Sequence, residues 1–109
     1  MNSAIAVILH SLMSQLYTFI LDFRGGTYTT QVTAPDMEAS LSVWLDQLAL
    51  EMGQIQDMGP MTVGEIKEQL ITEKTHTPVA LQGLSNVWYV YLSTRQGFSE
   101  LHIVSTLTG

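Results

Sequence analysis

Three histidines, His10, His76 and His102, are the side chains best able to move a proton near neutral pH. No two of them stand at a metal-ligand spacing such as H-x3-H, and none belongs to an H-E-x-x-H helix, so no metal site is expected. Serines are plentiful, but no G-x-S-x-G elbow occurs and no acid is placed by sequence to orient a histidine. The absence of cysteine removes thiolate nucleophiles, disulfides, iron–sulfur clusters and cysteine zinc sites together. Gly25-Gly26 would suit a phosphate cradle only if a helix followed; β-rich runs flank it instead, and a turn is expected. Glu65 and Glu68 share a helix face at i, i+3, a spacing that can pair carboxylates for acid–base work but more often marks a solvated first turn. These patterns predict no catalytic residue, no metal and no cofactor.

What remains is a mixture of rings and hydrogen-bonding groups that strand alternation assigns to one sheet face: Ile20, Asp22, Thr29, Gln31, Tyr89, Tyr91, Phe98, Glu100 and His102. Aromatic side chains bring large contact area at small entropic cost, so such a face suits a protein partner or a second copy of the chain. Tyr and Thr are equally good strand residues at a wet surface. The alternative reading uses Tyr91, Glu100 and His102 as a small-molecule or enzyme site, which requires a concave pocket holding all three. Base-stacking platforms carry basic flanks, whereas this chain has four cations, Arg24, Lys67, Lys74 and Arg95, against ten acids, for a net charge of −6. No direct nucleic-acid partner is expected.

The elements that must position this face are two hairpins around a helical block. From Leu16 to Val32, two β-rich runs flank Gly25-Gly26, where both turn positions tolerate a positive φ. Closing the loop there sets Arg24 opposite Thr27, Phe23 opposite Tyr28 and Phe19 opposite Val32. Tyr17, Phe19, Leu21, Phe23, Tyr28 and Val32 then share the inner face, and Thr18, Asp22, Arg24, Thr27, Thr29 and Gln31 the outer one, with Ile20 its apolar exception. The second hairpin runs from Asn86 to Leu107 around Gln96-Gly97, which sets Leu92 opposite Leu101, Tyr91 opposite His102 and Ser93 opposite Glu100.

Between them, Ala34-Pro35-Asp36 opens a helix whose apolar positions Leu41, Trp44, Leu45, Leu48 and Met52 recur at helical spacing, with Val43 and Leu50 off the stripe and Gly53 as the C-cap. Residues 54–61 read as a loop. Thr62-Val63-Gly64-Glu65 matches a capping box, opening a second helix to about Lys74 with Val63, Ile66, Leu70 and Ile71 inward. Thr75-His76-Thr77-Pro78 ends it, and 79–85 is a connection. The expected fold is α+β, two β-hairpins flanking two helices in the order ββααββ, as a four-stranded antiparallel sheet with both helices on one face.

At 109 residues the chain makes one domain with a single core. Residues 1–12 are apolar but too short to span a bilayer, and they lack a basic leader and a small-residue cleavage site, so neither membrane insertion nor a signal peptide is expected. Met13 can serve as a start. The first twelve residues then form an upstream extension, or else a short helix or strand packs on the domain, which itself covers 13–109. Charged residues are only 13% of the chain and hydrophobic ones 46%, a balance that points to surface shared with a protein partner, most simply a homo-oligomer, and the lack of cysteine fits the cytoplasm.

Over residues 16–50, the run Tyr17 to Val32 followed by Ala34-Pro35-Asp36-Met37-Glu38-Ala39-Ser40-Leu41 resembles small bacterial α+β proteins of unassigned function. It is similar, more loosely, to HicB-type antitoxin domains, in which a Gly-Tyr strand leads through a short connection to a Glu-Ala helix. That resemblance implies a toxin-neutralising role and transfers no functional residue.

Overall fold

In the computed structural model, which describes residues 14–107, the first hairpin is β1 (Gln15–Phe23) and β2 (Gly26–Ala34). The expected segregation of faces holds. Tyr17, Phe19, Leu21, Phe23 and Val32 are buried, Tyr28 packs against them, and Thr27, Thr29 and Gln31 are exposed. The turn, however, is Arg24-Gly25, with Phe23 opposite Gly26 and Phe19 opposite Thr30. Arg24 and Gly25 take φ +48° and +82°, the two positive values that a tight two-residue hairpin loop needs. Gly26 is a strand residue instead, and a Cβ on it would lie 2.7 Å from the Tyr28 hydroxyl. The left-handed conformation costs a non-glycine residue about 1–2 kcal/mol. Arg24 offsets part of that by binding Asp57 at 2.8 Å and the Gln96 carbonyl at 3.1 Å. The pairing moves by two residues, which preserves the period of two and leaves the strand side chains on their expected faces, while Arg24, expected on the outer face, becomes a turn residue.

The helical block follows. Asp36 caps α1 (Met37–Glu51), its carboxylate accepting the Ala39 N–H at 2.7 Å. Leu41, Trp44, Leu45 and Leu48 face the sheet, while Val43 and Leu50 are exposed. Gly53 is not a left-handed cap; α1 passes into a 3-10 turn over Met52–Gln54, closed by the Ile55 N–H on the Met52 carbonyl. The segment after it buries Ile55 and Met58. The second helix, α2, starts three residues earlier than the capping box implied, with its N-cap at Gly59 rather than Thr62. Its span is Pro60–Lys67, because the fixed φ and missing N–H of proline suit the first helical position. Thr62 is buried, and Glu65 serves Arg95 rather than a cap. A π-helical turn, Glu68–Thr72, continues α2, with the Glu73 N–H reaching back to the Glu68 carbonyl.

The sheet has five strands, not four. Val79–Ala80 forms a short strand, β3, along β4 (Val87–Thr94), which pairs with β5 (Gly97–Leu107). The order is β2-β1-β5-β4-β3, all antiparallel, with α1 and α2 on one face. The second hairpin also turns earlier than expected, at Arg95-Gln96, with Thr94 opposite Gly97. Neither loop residue takes a positive φ; Gly97 does, at +109°, as in a turn closed by a glycine bulge. Segment 1–12 lies outside the described residues. Within them, no helix is long and apolar enough to cross a membrane.

Among the described residues, one buried side-chain polar atom is without a partner. Ser99 lies opposite Phe23 on β1 and Leu92 on β4, and its hydroxyl has no hydrogen-bond partner. A hydroxyl stripped of water without a partner destabilises its site. Ser99→Ala is expected to raise stability by about 1 kcal/mol, read from the urea midpoint at unchanged m value. A loss of similar size would mean that the hydroxyl is satisfied by a bound water.

Candidate interaction surface

Strand alternation and the observed register lay the outer residues out in rows. Across β2, β1, β5, β4 and β3, the central row reads Thr29, Ile20, His102, Tyr89, Val79. On one side of it lie Thr27, Asp22, Glu100 and Tyr91; on the other, Gln31, Thr18, Val104 and Val87. Phe98, opposite Ser93, stands one row beyond Tyr91. All eight residues assigned to the surface from sequence, Ile20, Asp22, Gln31, Tyr89, Tyr91, Phe98, Glu100 and His102, therefore share this face. Their neighbours differ from expectation, because the second hairpin is shifted by two. Tyr91 faces Glu100, His102 faces Tyr89, and Phe98 faces Ser93.

The rings form two clusters. The Tyr89 and His102 rings lie 5.0 Å apart, as do Tyr91 and Phe98, and His76 meets Tyr91 edge-on at 6.0 Å. Phe98 is 71% exposed and Val79 57%, large apolar groups with no cover among the described residues. Sequence reasoning missed His76 and Val79. His76 reaches the sheet through the loop after the π-turn, and two-residue β3 is too short for any periodicity to register.

Electrostatics concentrate on the middle of the face. Asp22 and Glu100 are directly opposite, an unfavourable like-charge pair. Each is eased locally: the Thr27 hydroxyl donates to Asp22 at 2.7 Å and the Tyr89 hydroxyl to Glu100 at 3.2 Å. Among the described residues no Lys or Arg pairs with either: Arg24 is held by Asp57, Arg95 by Glu65 and Lys74 by Glu38, and Lys67 lines a cleft between the two helices. Burial pushes the Tyr89 phenol up from its ordinary value of 10.0, helped by the hydrogen bond to Glu100 and by that carboxylate's charge. Burial also raises Tyr17, opposed by a hydrogen bond with Ser105.

Both tyrosines hold their protons more tightly folded than unfolded, so the folded state penalises the phenolate. Their contribution to stability is complete below about pH 10 and is lost as pH rises through the raised values. Unfolding midpoints should fall across that alkaline range, and Tyr17→Phe should flatten the fall; an unchanged slope in Tyr17→Phe would show that Tyr17 does not titrate with folding.

This face is not a pocket. Neither Glu100 nor His102 lines any of three clefts formed by the described residues. One of them, about 450 Å³, lies on the opposite layer between the start of α1 and the end of the π-turn, among Met37, Leu41, Leu70, Ile71 and Pro78, beside the exposed Glu38–Lys74 pair. A shallower one reaches Tyr89 and Tyr91 from the side of His76 and Val79. Among the described residues, no three His, Asp or Glu side chains come together in a group able to hold a metal ion. Tyr91, Glu100 and His102 do not share any of these three clefts. No family model, curated protein or solved structure matches this chain.

Proposed function

We propose that this is a non-enzymatic protein-association domain of the cytoplasm, and that it self-associates through its sheet, by the outer face or by an edge. The observation that carries the reading is the open sheet. One face is covered by both helices; the other carries the exposed Phe98, Tyr91 and Val79 and the half-buried Tyr89, His102 and Ile20, with no described helix or strand over them. Exposed aromatic and aliphatic groups gathered on one surface are more typical of contacts than of free solvent-facing strands. The low charge content agrees with this.

Light scattering over a concentration series tests it. A mass twice that of the chain is expected, and a monomer at every concentration overturns the proposal. Tyr91→Glu and Phe98→Glu then separate the two modes: a fall to the monomer mass puts the rings in the contact, and an unchanged dimer puts the contact on an edge.

A further inference from the structure

The two edges of the sheet are treated differently. On the β4 side, β3 covers Trp88 and Tyr89, and further along the Gln69 side chain does what a neighbouring strand would do. Its amide donates to the Ser93 carbonyl at 2.6 Å and accepts the Ser93 N–H at 2.9 Å. Just beyond, Glu65 accepts the Arg95 N–H. Unpaired strand edges invite pairing with another chain, and these side chains close this one.

On the other side, β2 has no such guard among the described residues. Its nine residues, Gly26–Ala34, include no charge and no proline, and Gly26 is the only glycine. Because Phe23 and Gly26 flank a two-residue turn, they form a hydrogen-bonded pair, and alternate residues Tyr28, Thr30 and Val32 likewise bond β1. Thr27, Thr29, Gln31 and Thr33 therefore direct their backbone N–H and C=O groups outward.

We infer that two copies of this chain pair antiparallel along β2, about a twofold axis through Thr30, to make one ten-stranded sheet. The inference rests on the self-association proposed above and names its surface. This register overlaps all nine residues, Gly26 meeting Ala34 of the second copy. It exchanges backbone hydrogen bonds between Thr29 and Gln31 and between Thr27 and Thr33, on both sides of the axis. The side-chain pairs it makes are Thr with Thr, Thr with Gln, and Tyr28 with Val32, with no like charges opposed within the strands; the Glu51 of each copy stands over Thr30 beside the axis, held by the Thr30 and Gln47 side chains. The helical layer agrees. The Thr30 hydroxyl donates to Glu51, which places α1 over this edge. Val43, Gln47 and Leu50 recur at i, i+4, i+7 on the α1 flank turned away from the α2 cleft, and Val43 and Leu50 are 41% and 80% exposed. Pairing along β2 brings this stripe toward its copy.

The chain has no cysteine, so Thr30→Cys is a direct probe. Non-hydrogen-bonded partners stand about 4.5 Å apart at Cα, within disulfide reach, and oxidation is expected to give a covalent dimer, with Phe98→Cys as the non-pairing control. Thr29→Lys with Gln31→Lys opposes like charges twice across the axis at exposed positions and should weaken dimerisation by about tenfold or more. Thr29→Lys with Gln31→Glu opposes unlike charges and should restore it. A dimer that gives no Thr30 cross-link and ignores both double variants overturns the β2 edge but leaves self-association standing; a monomer at every concentration overturns both.

Discussion

Trp44→Ala is expected to remove about 3–5 kcal/mol of folding stability, the largest effect of any single truncation on the helical layer. Trp44 is 2% exposed and its ring lies parallel to that of Phe19, at 5.0 Å between centroids and 6° between planes. It projects from the middle of α1 onto β1, where Phe19 is fully buried. Truncation forfeits the transfer free energy of the ring, leaves a void that β1 and α1 cannot both close, and breaks an offset stack worth about 0.5–1.5 kcal/mol beyond area. Domains of this size are stable by about 5–15 kcal/mol, so the variant loses a large share of its margin. Urea unfolding followed by far-UV circular dichroism measures the change, and a Phe19→Ala, Trp44→Ala double-mutant cycle isolates the stacking part. A loss below about 1 kcal/mol would mean that the ring is not packed between α1 and β1.

The second large effect tests strand order. His102 lies mid-strand on β5, with Ile20 of β1 on one side and Tyr89 of β4 on the other. Whichever neighbour its N–H bonds, proline there removes a ladder bond inside the sheet and forces the local φ. The cost is on the order of 3 kcal/mol or more, the scale set by interior proline in a helix. His102→Ala controls for loss of the ring and should cost far less. Thr29 is also mid-strand, but on β2, with its N–H directed away from β1. Thr29→Pro, measured where the chain is dilute, should cost no more than about 1 kcal/mol. Equal costs at the two positions would contradict the order β2-β1-β5-β4-β3.

Read by itself, the sequence determined the partition of side chains. The period of two in 16–32 and 86–107 and the helical spacing of Leu41, Trp44, Leu45 and Leu48 are properties of neighbouring residues, and burial follows them because an apolar face must be covered. That Ala34-Pro35-Asp36 opens the helix was legible for the same local reason, while the role of Asp36 as its N-cap came from the structure. That Ile20, Asp22, Gln31, Tyr89, Tyr91, Phe98, Glu100 and His102 fall on one sheet face was legible, though which of them touch was not. Both turns fell one residue before the Gly-Gly and Gln-Gly dipeptides that marked them, and a shift of two in pairing leaves the pattern of faces unchanged. Nothing local resolves that ambiguity.

Tertiary structure resolved it through contacts distant in sequence. Arg24 accepts a left-handed turn while held by Asp57 and Gln96, and Gly26 lets the Tyr28 ring lie close over the strand. The pairing of β1 with β5, strands from opposite ends of the domain, likewise has no local signature. Nor does the Gln69 amide seated on Ser93. Which edge is closed is decided by those partners, and among the described residues β2 has no comparable neighbour on its outer side.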